Sequence, residues 1–408
     1  MKKTLLTWLA ATISITSIAQ EYNADNIKTV TIMQPGSSFG YPMCHINGTI
    51  QLDFDVIDDE YSNLSYSIRH CNADFEPDDL TFGEYADGFS NRYITEYESS
   101  FNTETSYTHY SLSIPNNDVR LTISGNYMVE IFEDDNPEKI LLRKKFMVYE
   151  ESDNSQISAT IGQPFLPEYS QTHQQISVTF NNSKLRIANP AKYLKIYAMQ
   201  NGNMESRRQL EISGFLNSDI LYHQNNGGNI FWGINEFEFL DAKDTHFRPL
   251  GVDGIRYETR RYHYYLTPLT YHEAYTTRGD INGDFYIKND RCNNQNLESD
   301  YIEATFRFKY DRYSSERIYI YGALSNYQLL PEYQMEYNPE SDLWEKTLTL
   351  KQGLYNYLYA IVSNEGQITG FSSGSHHNTQ NDYMIAVYTT LTRDSGDRLI
   401  MCKVIKNY

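Results

Sequence analysis

The sequence lacks the features that mark nucleic-acid-binding proteins and the common cofactor-dependent enzymes. Lys and Arg number 34 against 53 Asp and Glu, so the formal net charge is −19. Such a charge repels nucleic acid and anionic membrane surfaces. The chain contains no Gly-rich phosphate loop and no dinucleotide-binding fingerprint. We therefore expect no nucleic-acid partner and no cofactor.

Long apolar runs are absent beyond the N-terminus. Residues 1–19 have the features of a cleavable signal peptide: Lys2 and Lys3, then a mostly apolar stretch, then the small-residue site Ser17-Ile18-Ala19. The apolar stretch is shorter than the roughly 18 residues that a membrane span requires. We expect an exported, periplasmic protein with no direct membrane span.

Cysteine is scarce, and no CxxC pair suggests a redox or zinc motif. An exported protein can form disulfides, and Cys44, Cys71, Cys292 and Cys402 allow three pairings. Cys44 and Cys71 flank a predicted hairpin, but the alternation of its strands places Cys71 on the face opposite the predicted core. The sequence is compatible both with buried free thiols and with disulfides.

Strand patterns, in contrast, are abundant, and Tyr (36) and Phe (19) provide large apolar side chains for sizeable cores. Residues 50–56 and 64–68 alternate apolar and polar side chains, as expected for strands with one buried face. Gly, Asn and Pro clusters separate such runs, and no long amphipathic helix pattern occurs. The sequence predicts an all-β fold of tandem antiparallel β-sandwich domains of the immunoglobulin-like or early-set kind.

Polar stretches indicate where these domains meet. Residues 150–155 and 289–299 are rich in polar and charged side chains and are typical of linkers. Four segments are predicted: a signal peptide at 1–19, an N-terminal β-sandwich at 20–152, a middle β domain at 153–295 and a C-terminal early-set-like β-sandwich at 296–408.

Four segments carry residue types found in catalytic or metal sites. Residues 36–40 and 370–374 match G-x-S-x-G, but neither is followed by the helix that a nucleophile elbow requires. His376 and His377 are neighbours, and adjacent strand side chains point to opposite faces. Residues 280–284 lack the spaced ligands of a calcium loop. We expect no catalytic site, no metal site and no enzymatic activity.

Several short motifs occur in an order that resembles the plug protein family of the Bacteroidetes type IX secretion system. The matching segments are 69–74 (Arg-His-Cys-Asn-Ala-Asp), 87–89 (Asp-Gly-Phe), 107–110 (Tyr-Thr-His-Tyr), 124–127 (Ser-Gly-Asn-Tyr), 351–357 (Lys-Gln-Gly-Leu-Tyr-Asn-Tyr) and 380–383 (Gln-Asn-Asp-Tyr). The resemblance implies a non-enzymatic periplasmic subunit. Its partner would be the outer-membrane β-barrel translocon, whose periplasmic end it would bind and close.

An interface of this kind would be anchored by a few aromatic side chains. Tyr85, Phe89 and Tyr93 are the candidates, and packing in the core is the competing explanation for all three. No interface residue follows from the resemblance itself.

The C-terminal segment also resembles the early-set sandwiches of glycogen- and starch-binding modules, through the strands around 318–327 and 354–359. The alternative function is therefore that of a secreted carbohydrate-binding β-sandwich protein, with Tyr327 and Trp344 in contact with sugar. Tyr327 stands where such modules commonly carry Trp. A planar cluster of exposed aromatic side chains within 300–408 would favour this alternative.

Overall fold

The computed structural model describes residues 20–37, 40–57, 63–223, 226–275, 277–311, 315–390 and 396–406. The predicted signal peptide and part of the Gly36–Gly40 segment lie outside them. Strands dominate, which confirms the all-β prediction. Each helix of the described part is a single turn. They are α1 (Phe82–Tyr85), α2 (Pro190–Tyr193), α3 (Gln295–Glu298) and the 3-10 turns Pro167–Tyr169, Met204–Ser206, Ala323–Ser325 and Pro331–Tyr333.

The first unit is a sandwich built from the first twelve strands. They are β1 (Tyr22–Asn23), β2 (Ile27–Met33), β3 (Met43–His45), β4 (Ile50–Ile57), β5 (Leu64–Cys71), β6 (Ala86–Gly88), β7 (Asn91–Tyr93), β8 (Tyr97–Ser99), β9 (Tyr107–Ile114), β10 (Val119–Leu121), β11 (Gly125–Glu133) and β12 (Ile140–Tyr149). One sheet has the order β1-β12-β11-β5-β7, with β3 also on β12, and the other has β2-β4-β9-β8. Strands β6 and β10 form a separate pair.

The core of the first unit follows the predicted alternation. Leu52, Phe54 and Val56 of β4 are fully buried and face Tyr66 and Ile68 of β5 across the sandwich core. Apolar side chains at every second position place one face of each strand in the core, because successive side chains point to opposite faces. Burial of these side chains is the main stabilising contribution to the sandwich.

The second and third units draw on the remaining strands. The first of these are β13 (Ile157–Gly162), β14 (His173–Asn181), β15 (Leu194–Gln200), β16 (Arg208–Leu210), β17 (Gly214–Leu216), β18 (Asp219–Tyr222) and β19 (Ile230–Trp232). Next come β20 (Glu238–Asp241), β21 (Val252–Glu258), β22 (Arg261–Leu266), β23 (Leu269–Thr270), β24 (Phe285–Ile287), β25 (Tyr301–Lys309), β26 (Arg317–Tyr321), β27 (Glu336–Asn338), β28 (Leu343–Lys351), β29 (Gly353–Val362) and β30 (Ile368–Phe371). The last two are β31 (Asp382–Thr390) and β32 (Asp397–Lys406).

The second unit combines strands from two distant parts of the chain. One sheet has the order β13-β14-β18-β17, with β19 also on β14, and the other has β16-β15-β31-β32. Strand β31 pairs along its length with β15, from Leu194 opposite Thr389 to Gln200 opposite Tyr383. The two sheets share one apolar core. The last strands of the chain thus complete the second unit.

The third unit is formed by β20 to β30. One sheet gathers β20, β24, β26 and β30 around β29, and the other has the order β21-β22-β25-β28-β27, with β23 on β25. Its core includes the apolar faces of β25, β26 and β29.

These pairings correct the predicted boundary between 153–295 and 296–408. Strands β20 to β24 precede residue 296 but belong to the third unit, whereas β31 and β32 follow it but belong to the second. The polar residues 289–299 form a connection that contains the single-turn helix α3, and that connection lies within the third unit.

All four cysteines are free thiols. Cys44, Cys71 and Cys402 are buried, and burial raises the pKa of the Cys44 and Cys71 thiols to about 12. A thiol that stays protonated is a poor nucleophile, so these side chains act as small apolar groups.

Candidate interaction surfaces

A buried ionic cluster joins the first unit to the third. Asp55 of β4 is fully buried, and its carboxylate accepts hydrogen bonds from Lys351 Nζ (2.7 Å) and the Tyr301 hydroxyl (2.6 Å). His109 Nδ1 lies 2.7 Å from the same carboxylate, and Lys351 also donates to the Asn296 carbonyl oxygen (2.7 Å). A charge removed from water is tolerated only with such partners. Two of the resemblance motifs, around 107–110 and 351–357, therefore meet in this joint.

A second joint connects the first unit to the returning strands of the second. The Tyr388 hydroxyl donates to Asn126 Oδ1 (2.7 Å), and the Asn126 amide donates to the carbonyl oxygens of Asn72 (3.0 Å) and Ala73 (3.2 Å). The Ala73 backbone N–H donates to Asp397 Oδ2 (2.9 Å). The motifs at 69–74 and 124–127 thus hold β31 and β32 against the first unit.

Tyr327 lies at the joint between the second and third units. It is 7 % exposed, and its hydroxyl is 3.0 Å from the Asn201 carbonyl oxygen and 3.1 Å from that of Asn282. Burial raises its pKa well above the usual value for tyrosine. The prediction that Tyr327 stacks on sugar is wrong, because its ring is enclosed by protein.

Trp344 belongs to the third sandwich rather than to an open platform. Its half-buried ring packs against the core of the third unit and meets the Tyr337 ring edge-on, with centroids 5.8 Å apart. Among the described residues of 300–408, no large aromatic side chain is exposed. The feature that would favour carbohydrate binding in this segment is therefore missing from its described part.

The acidic segment at 280–284 contributes carboxylates to the interior. Asp280 accepts the Phe237 backbone N–H (2.6 Å), and Asp284 accepts that of Gly40 (3.0 Å). Burial raises the pKa of Asp284 to about 6. Nearby Glu236 is 3 % exposed, and burial, with the charge of Asp280, raises its pKa to about 7. Asp280 and Asp284 thus accept hydrogen bonds from backbone N–H groups in the interior.

The remaining catalytic and metal candidates have structural partners. Ser372 is buried, and its hydroxyl accepts the Tyr359 backbone N–H at 3.1 Å, so it does not project as a nucleophile. His376 Nε2 lies 2.5 Å from the Glu273 carbonyl oxygen. Within the described ranges, no group of three or more His, Cys, Asp or Glu side chains is placed to hold a metal ion.

Exposed aromatic side chains lie along one edge of the first sandwich. Strands β7 and β8 are the edge strands of its two sheets on the same side, and the chain passes from one to the other through buried Ile94. Phe89, Tyr93 and Tyr97 of this segment are about half exposed, at 53, 51 and 51 %. We call these three side chains the edge surface. The Arg92 guanidinium stacks over the Phe89 ring at 3.5 Å and partly covers it.

Tyr85, the first predicted interface residue, is not part of the edge surface. It is 5 % exposed, and its hydroxyl donates to the Ile68 carbonyl oxygen (2.9 Å). Its side chain belongs to the core and cannot contact a partner. Tyr97 was not predicted, although the sequence holds a signal for it: aromatic residues recur at 89, 93 and 97.

Gly88 explains why the motif at 87–89 ends in an exposed ring. Its φ of +112° lies in a region that favours glycine, and a Cβ there would collide with the Asp118 carbonyl oxygen. This close approach lets β6 pair with β10, with Gly88 opposite Val119. The Phe89 backbone N–H also donates to the Asp118 carbonyl oxygen (3.0 Å), which fixes the start of the edge segment.

The fold and its surfaces define a protein of three joined β-sandwich units. Residues 27–150, the first unit, match the family model described as type 9 secretion system plug protein 1st domain. A crystal structure of a hypothetical protein from Parabacteroides merdae is similar over nearly the whole chain. The identity is 30 %, the TM-score is 0.88, and the match covers 94 % of this chain and 98 % of that one. No curated protein matches the sequence.

The chain belongs to the type IX secretion system plug protein family, which confirms the predicted resemblance. It is accordingly a component of type IX secretion, and the family is known as a structural part of that system. In the part of the chain that the structure describes, no helix has the length and apolar character needed to cross a membrane.

Proposed function

We propose that this protein is a non-enzymatic periplasmic subunit that binds the periplasmic end of the outer-membrane translocon barrel of the type IX secretion system and closes it. The observation that carries this proposal is the edge surface, where Tyr93 and Tyr97 of the edge strands β7 and β8 and Phe89, just before β7, are about half exposed. Aromatic side chains are favoured anchors of protein interfaces. Exposed groups of them mark interaction sites on soluble proteins.

The joints between the units support a plugging role. A wide, water-filled barrel passes solutes unless something fills its opening. A plug has to keep its shape against that opening, and buried polar contacts such as Asp55–Lys351 and Tyr388–Asn126 tie the three units together. The net charge of −19 would complement basic loops at the barrel mouth and would mainly set the rate of association.

Site-specific photo-crosslinking in the native cell tests the partner. A photoreactive amino acid would replace Tyr93 or Tyr97, and in a matched control it would replace Phe215, which is 61 % exposed on β17 of the second unit. We expect the two edge positions to crosslink to a very large outer-membrane barrel and the control not to. If neither edge position forms a crosslink while the protein is present at normal levels, the edge surface is not the contact with the barrel.

Closure is tested separately from binding. Deletion of the protein is expected to make the outer membrane permeable to a large fluorescent solute that intact cells exclude. The wild-type protein should restore the barrier, whereas Phe89→Asp/Tyr93→Asp should restore it only in part. If the deletion leaves permeability unchanged while crosslinks to the barrel form, the protein binds the translocon without closing it.

A further inference from the structure

A cleft of about 740 Å³ opens where the three units meet. Lys145 of β12 comes from the first unit, Arg208 of β16 and Trp232 of β19 come from the second, and Tyr321 of β26 and Phe371 of β30 come from the third. We call this the junction cleft. Its volume falls within the range of ligand-binding clefts, which occur preferentially where domains meet.

A second cavity of about 570 Å³ adjoins the junction cleft and shares two of its aromatic residues, Trp232 and Phe371. These two rings meet edge to face, with centroids 5.8 Å apart. The second cavity is also lined by Ser375, whose buried hydroxyl has no hydrogen-bond partner among the described residues. The two cavities thus share an aromatic wall formed by these two rings, and we call the pair of cavities the groove.

The junction cleft is locally basic in an acidic protein. Its lining holds the cations Lys145 and Arg208 and one carboxylate, Glu205, which is 4.0 Å from Lys145 Nζ. No acidic side chain of the described ranges lies within ion-pair distance of Arg208, whose guanidinium donates to the Ile230 carbonyl oxygen. The side chain of Arg208 is accessible to solvent, and a guanidinium without a carboxylate partner can pair with a carboxylate of a ligand.

The Trp232 ring of the aromatic wall packs against a neighbouring histidine ring. The His173 ring lies against the Trp232 indole with centroids 4.1 Å apart, and burial lowers the pKa of His173 to about 4. The histidine is therefore neutral at physiological pH and packs as an uncharged ring. Trp232 is thus held in place before any ligand arrives, which reduces the entropy cost of binding.

We propose that the junction cleft and its neighbouring cavity bind an extended peptide segment that carries a carboxylate. Extended peptides dock in aromatic-lined grooves and place alternate side chains in successive cavities. Arg208 and Lys145 would take the carboxylate, and an apolar or aromatic side chain would pack against Trp232. The local positive charge favours an acidic peptide over a neutral glycan, which has no carboxylate to pair with Arg208.

This proposal goes beyond closure of the barrel and does not depend on it. Any polypeptide with an extended acidic segment is a possible ligand, and the groove is formed by residues other than Phe89, Tyr93 and Tyr97. Loss of peptide binding would therefore leave crosslinks from the edge surface unchanged. Loss of those crosslinks would likewise leave peptide binding unchanged.

The probe is a library of random 12-residue peptides displayed on phage and selected on the purified full-length protein. Selected peptides are then synthesised, and their affinities are measured by fluorescence anisotropy. We expect enrichment of Asp or Glu beside apolar residues. Arg208→Gln and Trp232→Leu should each weaken binding about tenfold or more. Arg256→Gln is the matched control, because Arg256 is an arginine 69 % exposed outside the groove.

Thermal melting of each variant separates lost binding from lost folding, and Arg208→Gln serves as the milder change because its side chain is largely exposed. Three results would overturn the proposal: no enriched peptide, enriched peptides without acidic residues, or equal binding to wild type and Arg208→Gln. Binding of a glycan on an array, abolished by Trp232→Leu and competed by no peptide, would assign the groove to carbohydrate instead.

Discussion

The joints and the edge surface use the same kind of side chain for opposite purposes. Tyr301 is 1 % exposed, and its hydroxyl donates to the buried carboxylate of Asp55, whereas Tyr93 is 51 % exposed on edge strand β7. The difference lies in what the neighbouring unit covers. A tyrosine in a joint stabilises the body by burial and a hydrogen bond, and one on an edge remains available to a partner.

This contrast explains what the resemblance motifs do. The motif residues Asn126 and Lys351 hold units together, and His109 supports the carboxylate of Asp55 with which Lys351 pairs. Phe89 differs from these residues, because it ends a motif and its large apolar ring is exposed. Recognition of the family therefore depends mainly on residues that shape the body, and the residues that contact partners have to be found from exposure.

The largest expected effect comes from breaking the joint between the first and third units. Lys351→Met removes the buried cation that pairs with fully buried Asp55, and the loss of this charge partner should lower the free energy of unfolding by about 3–5 kcal/mol. Denaturant titration followed by tryptophan fluorescence measures the change. The double variant Asp55→Asn/Lys351→Met should recover part of the loss. If Lys351→Met alone costs less than about 1 kcal/mol, the joint is not closed in solution.

A smaller effect is expected from the buried carboxylates. The pKa of Glu236 is raised by burial from 4.5 to about 7, so folding favours its protonated form. The stability that the protonated Glu236 side chain contributes is fully present at a pH below its ordinary pKa, and it is lost as the pH rises through about 7. In the wild type, the free energy of unfolding should therefore fall between pH 5 and pH 8, and Glu236→Gln should reduce that fall by about 2 kcal/mol. An unchanged pH profile would contradict the burial of this carboxylate.

The joint between the first and second units offers a milder change. Tyr388→Phe removes one hydroxyl and leaves Asn126 Oδ1 without its donor, which should cost about 1–2 kcal/mol. Hydrogen exchange should then show faster opening of β31 and β32, with the core of the third unit unaffected. Tyr337→Phe, on the surface of the third unit, is the control. Equal exchange in Tyr388→Phe and wild type would show that this contact does not hold the returning strands.

The sandwich class and much of the first core could be predicted because they follow from local patterns. Leu52, Phe54 and Val56 alternate with polar residues, and all three are buried as the period of two requires. The second unit could not be predicted in this way, because β15 pairs with β31 nearly two hundred residues later. Nothing in either strand specifies its partner, since both are apolar runs that fit any buried position.

The joints between the units could not be predicted from the alternation of apolar and polar residues either. Asp55 occupies a polar position of β4 and was expected to face solvent, yet it is fully buried because the third unit covers that face of the sheet. Tyr327 failed as a sugar contact for the same reason, since the second unit encloses it. Contacts between units depend on how the sandwiches are placed, and a period of two describes only one strand at a time.

The smallest effect on stability and the most specific effect on function are expected at the edge surface. Phe89→Ser and Tyr93→Ser remove rings that are about half exposed, so each should change the unfolding free energy by less than about 0.5 kcal/mol. Co-purification of the barrel from gently solubilised cells should nevertheless fall several-fold, because interface anchors contribute far more to binding than to folding. Phe215→Ser, at an exposed ring of the second unit, should leave both quantities unchanged. If Phe215→Ser abolishes co-purification and the edge variants do not, the barrel contacts the second unit, and the contrast between joints and edge has to be redrawn around β17.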